Sequence, residues 1–250
     1  MCFDLDSAPP IPPISGAAVS HDDLVLEAED GNRFAAFVAV PDELGVGVVV
    51  IPDVRGLYRF YEEVALRLAE RGYAAVAFDL FGRTAGVAKR GDDFEYMPHF
   101  EQTTPEGVQA DVGACAEYLR RSGCRSISTL GFCFGGRQSW LAAANGRLDL
   151  AGAIGFYGRP GPGRDGSPGP IQHVSDISCP ILALQAGADH ATSAEDNAAF
   201  EAALTAAGVE HELVTYPGAP HSFFDREQEE FATESADAWN RVLAFLGRYG

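Results

Sequence analysis

The sequence predicts an α/β fold: a mostly parallel, twisted sheet with helices on both faces and an N-terminal antiparallel hairpin. Three observations carry this. Short runs such as GVVVI (47–51) and YAAVAF (73–78) are apolar throughout, which is how a strand buried on both faces reads. Amphipathic helical stretches alternate with these runs, which is the pattern of a parallel sheet joined by crossover helices. LVLEAED (24–30) and RFAAFVAV (33–40), separated by Gly-Asn, read as a hairpin that opens the chain.

The remaining elements follow in order. YRFYEEVALRLAERG (58–72) is an amphipathic helix ending at Gly72. Residues 79–104 have no sustained period and form a long loop with some local helix. Loops of this length in compact domains are usually functional. A helix over 105–123 carries Pro105 in its first turn. A strand over 125–132 and a helix over 134–146 come next, then a strand over 150–158. Residues 159–178 are a Gly/Pro-rich loop. The chain closes with a strand at 179–187, a helix at 193–208, a strand at 210–216 and a last helix from about Glu227 to Leu246. Residues 1–20, with their prolines, read as a loosely held extended leader, and 21–250 as a single domain.

Composition narrows the function classes. The 250 residues carry a net charge of −18, which repels nucleic acid and an anionic membrane surface. No apolar run reaches the length of a membrane span, and the N-terminus lacks the basic and apolar regions of a signal peptide. The five cysteines, Cys2, Cys115, Cys124, Cys133 and Cys179, are odd in number and form no CxxC pair. They suit neither a disulfide framework nor a zinc site, and free thiols fit a reducing cytoplasm. No metal or cofactor is expected, and the chain is expected to be a monomer or a homodimer.

GFCFGG (131–136) carries the chemistry. Cys133 follows a strand and opens a helix, with Gly131 and Gly135 leaving room for neighbouring segments. This is the geometry of a nucleophile elbow with Cys in place of Ser. The helix N-terminus beneath it favours a thiolate. The alternative is a glycine-rich turn that tucks a small apolar Cys into the core. A nucleophile needs a base, and the base an orienting acid. Asp189, just past a strand in ALQAGADH, and His221, in YPGAPHSFF after the last strand, follow in the order nucleophile, acid, histidine. His211 lies inside a strand, His99 and His173 lie in long loops, and His190 adjoins the acid.

With these marks the chain resembles the dienelactone hydrolase family of α/β-hydrolases, from the hairpin to the last helix. GFCFGG, AGADH, APHSFF and FDLFGR (78–83) carry the likeness. The resemblance implies an α/β-hydrolase fold and a triad of Cys133, His221 and Asp189. It places Asp53 where the family has a glutamate that interacts with the cysteine; capping of the following helix is the other reading of Asp53. It implies an oxyanion hole made by the N–H groups of Val54 and Phe134. Family substrates carry a carboxylate held by two arginines. Arg83 matches the first, while Asp225, followed by Arg226, stands near the second. Arg55, close to the oxyanion loop, is a substitute positive charge, or else a surface arginine pairing with Glu62 or Glu63. Phe156, Tyr157 and Ser222 match pocket-lining positions.

A thiol nucleophile also constrains the substrate. Thiolate leaves a tetrahedral intermediate more readily than an ordinary alkoxide, so enol-lactones, aryl esters and thioesters go forward where alkyl esters revert. The sequence therefore reads as a hydrolase of activated small-molecule esters or lactones, dienelactone-type enol-lactones first. A broader carboxylesterase or thioesterase on the same scaffold is the second reading. A non-catalytic member that binds small acidic ligands or a protein is the third.

Overall fold

The computed structural model describes residues 3–4, 6–91, 93–163 and 166–250. Cys2 and short parts of the two long loops lie outside the described residues. One eight-stranded sheet has the order β1-β2-β4-β3-β5-β6-β7-β8. β1 (Val19–Glu27) and β2 (Arg33–Pro41) form the expected hairpin, and β2 runs antiparallel to β4 (Ala74–Phe78). β3 (Val46–Ile51), β5 (Ser126–Phe132), β6 (Gly152–Phe156), β7 (Ile181–Ala186) and β8 (His211–Tyr216) complete a parallel array with β4.

Side-chain alternation explains the two layers. Val48 and Val50, with Leu130, Phe132, Ile154 and Phe156, face one core, which α1 (Arg59–Ala69) and α7 (Ala232–Tyr249) cover. Val49 and Ile51, with Val76 and Ile127, face the other, beneath α4 (Pro105–Ser122) and α5 (Phe134–Ala143). α6 (Ala194–Ala207) joins the second layer through Phe200 and Leu204. The helix ends obey local rules. The Thr104 side chain accepts from the Gly107 N–H at 3.1 Å, and α4 stops at Gly123, whose φ of 112° suits glycine. The long loop after β4 contains two single turns, α2 (Gly82–Ala85) and α3 (Met97–Phe100).

Two expectations are corrected. Part of the leader is firmly held: among its described residues Phe3, Ser7, Ala8 and Ile11 are buried. Prolines at 9, 10, 12 and 13 keep this stretch out of a helix, yet its apolar side chains have surface to cover. Phe3 stacks on Phe60 with ring centroids 3.8 Å apart, and its ring also meets Phe132 and Tyr157. The last helix begins at Ala232 instead of Glu227, after a short 3-10 turn at Glu229–Phe231. Residues 225–231 close in successive i+3 turns instead, with the Gln228 N–H on the Asp225 carbonyl at 3.0 Å and the Phe231 N–H on the Gln228 carbonyl at 2.9 Å, while the Arg226 N–H reaches the Ala8 carbonyl at 3.0 Å.

Candidate active site

The turn after β5 is as tight as the glycines suggest. Cys133 has φ 55° and ψ −114°, a conformation that side chains other than glycine rarely adopt. A Cβ on Gly131 would lie 1.9 Å from the Gly135 carbonyl oxygen, and one on Gly135 2.1 Å from that of Ile51. Neither position accepts alanine without moving backbone. The Cys133 N–H donates to the Phe156 carbonyl at 3.0 Å, which ties the turn to the end of β6. Cys133 is partly exposed, whereas Cys115, Cys124 and Cys179 are buried. Burial pushes all three buried thiols up, Cys179 to about 12, so they are poor nucleophiles at neutral pH.

His221 Nδ1 lies 2.7 Å from Asp189 Oδ2, and the Asp189 side chain is 1% exposed. Asp189 Oδ1 accepts the Ala191 N–H at 2.8 Å. Burial alone would raise this carboxyl, but the His221 hydrogen bond and charge, with the Ala191 N–H, outweigh it and hold Asp189 below the usual range. The other histidines stand apart from this pair. His190 is exposed, His211 begins β8, and His173 faces Asp176 at 3.7 Å. His99, expected in a surface loop, instead stacks on Phe94 with centroids 5.1 Å apart.

Tyr157 connects the two halves. It follows Phe156 in the strand that holds the Cys133 N–H, and its ring centroid is 4.9 Å from that of His221. Tyr157 has φ 37° and Ser222 φ 62°, so three of the four described non-glycine residues with positive φ are among the candidate site residues. Strained backbone concentrates where a site requires an exact geometry.

Val54 and Phe134 lie at neighbouring strand ends. Ile51 pairs with Gly131 in the β3–β5 register, and both chains continue outward from there. Among the described residues no hydrogen bond takes the Val54 N–H, and Phe134 opens α5, where the first N–H groups lack helical acceptors. Phe100 of α3 packs edge-on against Phe134 at 5.0 Å, bringing the long loop over the turn.

Asp53 does not cap α1, whose N-cap is Tyr58 without a side-chain bond. It is fully buried. Its carboxylate accepts the Arg55 N–H at 2.9 Å and the Tyr58 hydroxyl at 3.3 Å. Burial raises this carboxyl against the opposing pull of Arg55. Arg55 pairs with Asp53 at 3.8 Å and lies over the Tyr58 ring, 4.4 Å from its centroid, instead of meeting Glu62 or Glu63. Arg83 is drawn elsewhere. Its guanidinium binds Asp30 at 2.7 Å and Asp111 at 2.5 Å, joining the hairpin turn to α4. Asp225, near the second family arginine position, is buried and accepts the Ser7 hydroxyl at 2.6 Å. Sequence reasoning missed Tyr58, Tyr61, Asp79 and Arg90 around the loop after β3. An acid directly after β4, inside the FDLFGR stretch, was the available signal for Asp79.

A cavity of about 1190 Å³ lies between β1, α4 and the 3-10 segment at Pro170–Asp176, lined by Val25, Gln109, Tyr118, Arg147 and His173 among others. None of the candidate site residues lines it.

The eight-stranded sheet with a strained cysteine turn between β5 and α5 is that of an α/β-hydrolase. The model of the dienelactone hydrolase family matches residues 34–250. Proteins of Yersinia pestis and Saccharolobus solfataricus, each named "putative carboxymethylenebutenolidase", are 30% and 31% identical to this chain. Each alignment spans 88% of this chain, and they cover 85% and 95% of those proteins respectively. The crystal structure of a "putative dienelactone hydrolase" from Klebsiella pneumoniae superposes with a TM-score of 0.79 at 26% identity, covering 93% of this chain and all of that one. The chain belongs to the dienelactone hydrolase family and is a hydrolase. No helix among the described residues is long and apolar enough to cross a membrane.

Proposed function

We propose that this protein hydrolyses activated carboxylic esters through a Cys133–His221–Asp189 triad and a thioester acyl-enzyme. The observation that carries the reading is the pairing of a strained, partly exposed Cys133 with a His221–Asp189 hydrogen bond of 2.7 Å at the same sheet edge. The Cys133 thiolate attacks the acyl carbon, forming a C–S bond, and the carbonyl electrons move to oxygen. The Val54 and Phe134 N–H groups hold that oxyanion. Collapse expels the enolate or aryloxide, which takes a proton from the His221 imidazolium. His221 then deprotonates a water that attacks the thioester, and the thiolate leaves. Asp189 holds the imidazole in the required tautomer. Phe156, Tyr157 and Ser222 form the surrounding wall, and Asp53 organises the oxyanion loop. No step calls for a metal or an organic cofactor. The chain works in the cytoplasm as a monomer or homodimer.

The names of its relatives favour a dienelactone-type enol-lactone. The double ion pair of Arg83 favours the second reading, a broader esterase or thioesterase acting on neutral activated esters, because it commits the arginine expected to hold a substrate carboxylate to Asp30 and Asp111. Cys133→Ala should remain folded and lose all turnover of nitrophenyl acetate; retained turnover excludes the mechanism. A panel of enol-lactones, aryl esters and thioesters separates the two substrate readings. Arg83→Ala should impair a carboxylate-bearing lactone selectively only if the first is right.

A further inference from the structure

The loop from Pro52 to Leu57 carries the proposed oxyanion donor Val54, and it is fastened at both ends. At its start the Asp53 N–H donates to the Tyr61 hydroxyl at 2.9 Å. Within it, the Gly56 N–H donates to the Asp53 carbonyl at 3.2 Å. At its far end stands Asp79, the first residue after β4. Asp79 Oδ1 accepts the Leu57 N–H at 3.3 Å and lies where a Cβ on Gly56 would come within 2.5 Å. Gly56 has φ 80°, so only glycine lets the loop fold down onto this carboxylate without strain.

The second oxygen of Asp79 is equally occupied. Oδ2 accepts the Phe81 N–H at 3.0 Å and two donors of Arg90, at 2.7 and 3.2 Å. Asp79 is fully buried and the Arg90 side chain is 6% exposed. Arg90 reaches in from the long loop, donates to the Gly86 carbonyl at 2.8 Å, and lies over Phe94 with 4.6 Å to the ring centroid. Burying an ion pair costs desolvation that its attraction barely offsets, so such a pair is weak support for stability alone. What this one does have is a position: it joins the oxyanion loop to the long loop whose Phe100 packs on Phe134.

We infer that Asp79 and Arg90 are positioning residues that hold the 52–57 loop so that the Val54 N–H meets the oxyanion formed at Cys133. The inference rests on the oxyanion hole proposed above. Asp79 acts on the loop through Leu57, and Arg90 acts through Asp79. Neither touches the substrate.

Two reactions of the same thiol separate positioning from general disruption. Alkylation of Cys133 by iodoacetamide displaces iodide at a saturated carbon and generates no oxyanion. Ester hydrolysis needs the oxyanion hole. For Arg90→Ala, alkylation of Cys133, mapped by peptide mass, should stay within about twofold of wild type. The kcat for nitrophenyl acetate should fall roughly 10- to 100-fold with little change in KM, as befits a displacement of about an ångström in a catalytic group. Arg90→Lys should recover part of the loss, and it supplies the same two readings if Arg90→Ala does not fold. Equal losses in alkylation and hydrolysis would reduce the pair to a structural support, and an unchanged kcat would overturn the proposal outright. If alkylation of wild-type Cys133 left turnover intact, the nucleophile assignment itself would fail, which is a different result from either.

Discussion

The turn at Cys133 and the segment from Phe3 to Ile11 end within one aromatic cluster, yet they reach it by opposite routes. The turn is dictated locally: Gly131, Gly135 and Gly136 are small because backbone of β3, β6 and α5 passes where their side chains would be. The N-terminal segment has no motif at all. It is placed by distant partners, Phe60 and Tyr157 for Phe3 and Asp225 for Ser7. The first kind of structure fails when one atom is added. The second fails when contact area is removed, and by a graded amount.

The largest expected effect therefore comes from the smallest substitution. Gly135→Ala puts a methyl within 2.1 Å of the Ile51 carbonyl oxygen and 2.5 Å of that of Pro52, and against backbone that cannot yield the cost should exceed the usual ~1–3 kcal/mol of overpacking and prevent the fold from forming. The check is the urea midpoint together with turnover, and both should collapse. A soluble, active variant would mean that the turn is softer than its φ angle implies.

His221→Ala leaves the turn intact and should slow hydrolysis by roughly 10²–10⁴-fold, the usual contribution of a positioned proton-transfer group. The thermal midpoint should move little. A loss below tenfold would point to another base.

Phe3→Ala tests the other side of the comparison. A buried phenylalanine truncated to alanine costs about 3–5 kcal/mol when its site does not collapse. Chemical denaturation should show a loss of that order, or somewhat less because a chain end relaxes easily, while kcat/KM for nitrophenyl acetate falls by less than tenfold. No change in stability would restore the loosely held leader. A loss of activity as large as that of His221→Ala would make the segment part of the machinery.

The smallest effect is a slope. Asp111 is pushed up to about 6 by burial, which outweighs the pull of Arg83 and Asn32. Arg83, despite its own desolvation, is held charged by Asp111 and Asp30, so Asp111 is the partner that titrates. A carboxyl raised from 3.8 in this way favours the folded state while protonated, and that contribution is lost as pH rises from about 4 through 6. Asp111→Asn should remove up to about 3 kcal/mol of this pH-dependent loss. The measurement is the difference in thermal midpoint between pH 4.5 and pH 7.5 in each protein, which should be smaller in the variant. Parallel profiles would place the titration elsewhere.

What the sequence revealed follows the same division. Every strand was legible, because runs such as GVVVI are too short for a helix and are bounded by turn formers. The candidate triad was legible because each member stands at a strand end in a known order. Arg83 was legible as a strand-end arginine but not as the partner of Asp30 and Asp111, since those residues come from the hairpin turn and from α4. Tyr61 read as one apolar position of an amphipathic helix, and nothing local marks its hydroxyl as the acceptor for the Asp53 N–H. Arg90 looked like one charge in an aperiodic loop. The start of α7 was misplaced because residues 225–231 close in i+3 turns that lie against the N-terminal segment, where Asp225 meets Ser7.

That last contact has a consequence for how the protein is made. Ser7 and Asp225 are 218 positions apart in the chain. A ribosome adding about 5–20 residues per second needs roughly 10–45 s to deliver the second after the first. Through that interval the N-terminal segment has lost none of its apolar character and has no 222–226 loop to close against. Its anchoring thus waits until residue 225 has been made. Conditions that slow or interrupt translation would lengthen the time for which this stretch is open to chaperones.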